Sequence, residues 1–251
     1  MPRGGYSLPQ AINLEKFYNM IKLIDSFGSD GCPSSVVSTL DTKGGDYKRY
    51  AKKLNLITVR AAKRKKLCLT ERGKLLAKYL VNENYEKADL LIYQSLKDYI
   101  VQFRVMIDIL ASKPEIDEDE LFEKLKTELD KQYVGLDRID FRSLLSLSKS
   151  IKCIIKKDNR ILLRSKNLLY DIVIKKFLQL MKDTDIIETE EVCQIILNDL
   201  KQSNSELDLS QIYELIDQYV SSHNNFRFVS GVGTDIIDSN KALIKKIKNG
   251  E

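Results

Sequence analysis

Residues Lys52–Leu80 read KKLNLITVRAAKRKKLCLTERGKLLAKYL. The stretch opens on the leucine-bearing end of a helical pattern. LITVR and KLCLT then alternate as two short strands around a basic tip, Ala61–Lys66. Thr70 stands where a helix cap belongs, and Glu71–Tyr79 continues at helical spacing. The order is helix, hairpin, helix.

Working outward, Asn13–Phe27 places Leu14, Phe17, Ile21 and Ile24 on one helical face, with Tyr18 beside them. Gly28–Gly31 breaks that helix, and Pro33–Leu40 reads as a short helix with proline at its start. Gly44 and Gly45 make a turn, and Asp46 is the expected cap of a third helix, Tyr47–Leu54.

This order, with a leucine-rich end of the third helix, a hairpin closing in Leu-Thr and the following Glu-Arg-Gly-Lys, resembles the winged helix-turn-helix superfamily. The resemblance covers residues 12–82. It implies a DNA-binding fold whose third helix lies in the major groove and whose wing holds the backbone.

The pattern recurs. Tyr93, Leu96, Ile100, Phe103, Ile107 and Leu110 repeat at three-four spacing, as one long helix around Leu90–Leu110. This stripe is either the first core helix of a second unit or a dimer seam, so monomer and homodimer both stay open. Asp117–Glu120 forms a carboxylate capping box before the next helix, and Gly135 ends that helix. Arg138–Ser148 is the second unit's third helix, and a hairpin turns at Asp158–Asn159. In a third unit Thr189 and Asp208 cap two helices, and Phe226–Val229 and Thr234–Ile237 flank Ser230–Gly233 as a last hairpin. A lysine-rich tail, Lys241–Lys248, follows. The expected fold is mainly α with short β-hairpins, an α+β chain of tandem winged-helix domains. Their boundaries fall at 1–83, 84–167 and 168–251. A generic helical bundle with incidental hairpins is the alternative for the second and third units.

Charge separates the three units. Between Lys43 and Lys66 ten basic residues face one acid, a local charge of +9 in a chain of net +5. Arg138–Lys166 holds nine cations and two acids, whereas Lys182–Asp217 holds two cations and ten acids. Focused positive charge attracts a polyanion, and the acidic third unit repels one. Double-stranded DNA is therefore the expected partner of the first two units, with a protein partner possible at the third. The candidate DNA-binding residues in the first unit are Lys43, Tyr47, Lys48, Arg49, Tyr50, Lys52, Lys53, Arg60, Lys63, Arg64, Lys65 and Lys66. In the second unit they are Arg138, Arg142, Lys149, Lys156, Lys157 and Arg160. Arg49 carries the fork that fits a guanine edge, and Tyr50 is a candidate phosphate donor. The plain alternative is a solvated lysine-rich loop.

Other chemistry finds little footing. Cys32, Cys68, Cys153 and Cys193 form no CxxC pair, and His223 stands alone, so buried thiols are expected rather than a metal site. Asp117 and Glu120 suit a helix start better than a metal. No phosphate-binding glycine loop with a following Lys-Ser/Thr is present, and no cofactor or catalytic set is expected. No apolar run is long enough to span a bilayer, and the N-terminus lacks a signal-peptide core. A cytoplasmic, non-enzymatic DNA-binding protein is the expectation: a transcription regulator, or the recognition component of a restriction-type or mobile-element system. A tandem winged-helix scaffold that binds proteins is the alternative.

Overall fold

The computed structural model describes residues 13–38, 44–60, 65–113, 115–201, 207–229 and 243–247. Among them the chain is mainly helical, with three small antiparallel sheets of three strands each. It divides into two compact units, Met1–Ser165 and Lys166–Glu251.

The first unit opens with α1 (Leu14–Ser26), β1 (Cys32–Pro33), α2 (Ser34–Ser38) and α3 (Gly44–Lys53). A hairpin of β2 (Ile57–Arg60) and β3 (Lys66–Leu69) leads into α4 (Glu71–Val81). Two helices, α5 (Tyr85–Tyr99) and α6 (Val101–Ser112), carry the chain to β4 (Glu115–Asp117), α7 (Glu118–Asp130) and α8 (Arg138–Ser150). The hairpin of β5 (Ile154–Lys157) and β6 (Arg160–Leu163) follows. The second unit holds α9 (Ser165–Leu180), β7 (Ile186–Glu188), α10 (Thr189–Lys201), α11 (Leu209–Ser222), β8 (Phe226–Val229) and β9 (Leu243–Lys246).

Each sheet is built alike. The hairpin's second strand lies in the centre, flanked by its hairpin partner and by the short strand that precedes the second helix. The likeness of the first two sheets extends to single backbone bonds. After α3 the N–H groups of Asn55 and Leu56 donate to Lys52 and Ala51, with Asn55 at φ 55°. After α8 those of Lys152 and Cys153 donate to Lys149 and Ser148, with Lys152 also at φ 55°. Both are left-handed helix ends that satisfy otherwise unpaired carbonyls.

The turn into α4 is the tightest joint. The Thr70 hydroxyl accepts the Gly73 N–H at 3.1 Å and donates to the Asn55 carbonyl at 2.6 Å. Gly73 packs directly on the preceding loop: a Cβ there would stand 2.0 Å from the Leu56 carbonyl oxygen. Arg72, 4% exposed, pairs with Asp98 of α5 at 2.8 Å and lies over the Tyr99 ring. The Thr-Glu-Arg-Gly run therefore fastens the hairpin to the helices beneath it.

One buried acid joins the two patterns of the first unit. Asp89 on α5, 6% exposed, accepts the Tyr18 hydroxyl of α1 at 2.7 Å and sits 3.8 Å from the Lys152 ammonium. Burial, and then the negative charge of Asp89, push the Tyr18 phenol far above its ordinary pKa, so it remains a donor.

Several expectations need correction. The stripe from Tyr93 to Leu110 is two helices, because Ile100 takes an extended conformation between them (φ −119°, ψ 101°). The Tyr93 and Phe103 rings pack edge-on across this break at 5.6 Å. Every residue of the stripe is at most 1% exposed, so it is core and leaves no open seam for a dimer. The α3 helix begins at Gly44, so Asp46 lies within it instead of capping it. Pro33 belongs to β1, directly ahead of the helix it was expected to start. The α7 helix ends at Asp130, before Gly135, and the chain turns with Tyr133 at φ 58°. Asp117 caps α7 through the Asp119 and Glu120 N–H groups, but the Glu120 carboxylate turns to Lys113 and Lys124, leaving the reciprocal half of the box unmade. The last hairpin pairs Phe226–Val229 with Leu243–Lys246, so part of the expected tail Lys241–Lys248 supplies a central strand. Residues 230–237, expected as turn and second strand, lie outside the described residues.

Gly73→Ala should lower stability by about 3 kcal/mol, since an added methyl must displace a backbone carbonyl. Tyr18→Phe should lower it by about 2 kcal/mol by taking a donor from a buried carboxylate. Denaturant unfolding measures both.

Candidate nucleic-acid interface

The first hairpin and α3 present the chain's densest run of cations, and the structure sorts them by exposure and partner. Arg49 and Lys52 lie on the exposed side of α3, and Lys65 is exposed at the start of the returning strand. The Lys52 and Lys65 side chains make no hydrogen bond or ion pair among the described residues. Lys48 instead turns back to α2, reaching the Ser38 hydroxyl at 2.7 Å. Lys53 is half-buried; burial lowers its pKa, and the nearby charge of Asp140 offsets part of that. At the hairpin end Arg60 donates to the Ser29 carbonyl at 3.2 Å and Lys66 to that of Asp30 at 2.9 Å. Lys43, Lys63 and Arg64 lie outside the described residues.

The two tyrosines do not belong to this surface. Tyr50 is 2% exposed, and its ring meets Phe17 edge-on at 5.6 Å. Its hydroxyl is enclosed, so it cannot reach a phosphate. Tyr47 is 8% exposed, and its hydroxyl receives the Asn13 N–H at 3.4 Å. Aromatic residues at helical spacing here form the core beneath the cations.

The second pattern is less basic than its sequence window. Arg138 pairs with Asp119 at 2.7 Å and stacks on the Phe122 ring. Lys156 pairs with Glu118, and Arg160 with Glu115 at 2.6 Å. Those acids belong to β4 and α7, outside the window in which charge was counted. The side chains of Arg142, Lys149 and Lys157 remain exposed without a hydrogen bond or ion pair among the described residues. At the N-terminus of α8, burial and the neighbouring Asp137 raise the Asp140 pKa, opposed by Lys53. Two large side chains missed in the sequence stand out nearby: Tyr133 is 99% exposed and Ile139 56%. No periodic signal marks either of them.

In the second unit α10 carries Glu190, Glu191 and Asp199 and α11 carries Glu214 and Asp217, while Arg227 of β8 is exposed opposite Lys245 of β9. The four cysteines are buried and free. Burial, and then Glu190, push the Cys193 thiol up to about 12, so it is a packing group with little thiolate. His223 stacks on Tyr219 at 3.8 Å, and its Nδ1 lies 2.8 Å from the Tyr219 carbonyl. Among the described residues no group of His, Cys, Asp or Glu is arranged to hold a metal ion, and no helix is long and apolar enough to cross a membrane. Comparison with family models, curated proteins and solved structures finds no match to this chain.

Tyr50→Phe removes an enclosed hydroxyl without a partner. It should leave stability within about 1 kcal/mol of the parent in denaturant unfolding.

Proposed function

We propose that this chain is a non-enzymatic, double-stranded DNA-binding protein built from tandem winged-helix domains. It acts in transcription regulation or as the recognition component of a restriction-type or mobile-element system. The observation that carries the reading is the exposed cationic edge of the first pattern, where Arg49 and Lys52 on the third helix adjoin a hairpin bearing Arg60, Lys65 and Lys66. A helix of this kind suits the major groove, and a basic hairpin suits the flanking phosphates. The thrice-repeated order of strand, two helices and hairpin supports the winged-helix assignment. The second pattern extends the footprint along the backbone through Arg142, Lys149 and Lys157.

A scaffold role is the second reading. It draws on Tyr133 and Ile139, a fully exposed aromatic and an exposed aliphatic around the turn into α8. Here the partner would be a protein.

Selection from random duplex DNA followed by a salt titration tests the choice. A DNA-binding chain should enrich a defined site, with log affinity falling against log salt at a slope of about −3 to −5. Arg49→Ala should relax preference at one base pair at a cost of about 1–3 kcal/mol. Failure to bind any duplex at low salt removes the first reading.

A further inference from the structure

Between α6 and α7 the surface opens into a groove of about 620 Å³. Its α6 side is one stripe at three-four spacing that runs from Val105 to Ser112, about 10 Å along the helix. Val105 and Ile109 make that stripe partly apolar. Asp108 of α6 and Glu123 and Glu128 of α7 add carboxylates, against the single ammonium of Lys124. Lys124 is itself held by Glu120 at 2.9 Å. The groove is thus acidic in a chain of net +5. A concave surface of one sign concentrates the opposite charge, and it repels phosphate.

The second unit shows how such a line can be closed from within. Glu128 stands eleven residues after Asp117, the last residue of β4, and Asp199 of α10 stands eleven after Glu188, the last of β7. Lys176 of α9 reaches Asp199 at 2.7 Å, so a cation of the preceding helix answers the acid there. The α6 helix brings no basic side chain to the groove lining. Glu128 is met by Lys131 of its own helix end at 2.7 Å, and Glu123 by Arg138 at 3.8 Å. These are exposed pairs, which contribute little and exchange readily for a partner's cations. Directly after Gln132, which also lines the groove, Tyr133 is 99% exposed and held at φ 58°. A bulky residue is uncommon in that backbone region, and tyrosine is among the residues that anchor protein interfaces.

We propose that the α6–α7 groove docks a basic amphipathic helix of a partner protein. The apolar side of that helix lies on Val105 and Ile109, its lysines and arginines meet Asp108, Glu123 and Glu128, and Tyr133 packs beside it. A groove two helical turns long with carboxylates along an apolar stripe suits this mode of recognition, and its charge selects the sign of the partner. The inference goes beyond the DNA-binding reading and does not rest on it, since the groove shares no residue with the cationic edge of α3 and the first hairpin.

The test titrates the full-length chain into a fluorescein-labelled helical peptide of leucine and lysine, about four turns long, and follows anisotropy. A peptide with glutamate in place of every lysine is the counterpart. The lysine peptide should bind and the glutamate peptide should not. Thr127→Trp, which fills the groove from an exposed position of α7, and Asp108→Lys should each weaken binding at least about tenfold. Glu191→Lys, at an exposed acid outside the groove, should leave it unchanged. Should Thr127→Trp lose its thermal transition, Asp108→Lys decides. Parental affinity in Asp108→Lys overturns the proposal, as does a Glu191→Lys loss of the same size, which shows diffuse attraction. Failure of the lysine peptide to bind better than the glutamate peptide overturns it too. The measurement contains no nucleic acid, so its outcome is separate from that of the duplex titration.

Discussion

Asp89 is the constraint around which the first unit is organised. A carboxylate in an apolar interior is tolerated only with donors at hand. The Tyr18 hydroxyl of α1 donates to it, and the Lys152 ammonium after α8 stands 3.8 Å away as an ion partner. Because α5 carries Asp89, that helix belongs to both patterns. The neighbouring Arg72–Asp98 pair draws α4 onto the same helix. Both patterns lie within one compact unit, Met1–Ser165.

Much of the fold was legible because its signals are local. Thr70, Asp117 and Asp208 all cap the helices expected of them, and each does so through its own side chain. The hairpins Ile57–Leu69 and Ile154–Leu163 follow from alternation and a turn. What escaped notice had no local mark. The strands β1, β4 and β7 are two or three residues long and exist only by pairing with a distant hairpin. The break at Ile100 carries neither glycine nor proline, and the apolar spacing is the same whether one helix or two bury it.

The candidate surface was legible in composition and less so in detail. A contiguous window counts charges that the fold then pairs with acids from elsewhere: Glu115 and Glu118 meet two cations of the second hairpin, and Asp119 meets Arg138 of α8. Tyr47 and Tyr50 alternate with cations on α3, and that alternation is how the helix divides its core from its surface.

The third sheet has a consequence in time. Its central strand is Leu243–Lys246, which both β7 and β8 need as a partner. The other two central strands are made soon after the hairpin begins, whereas this one follows a longer excursion of chain. On the ribosome the body up to Ser165 can close while the last unit still has two strands with nothing between them. Non-local closure is slow, and an unfilled sheet centre is open to strands of other chains.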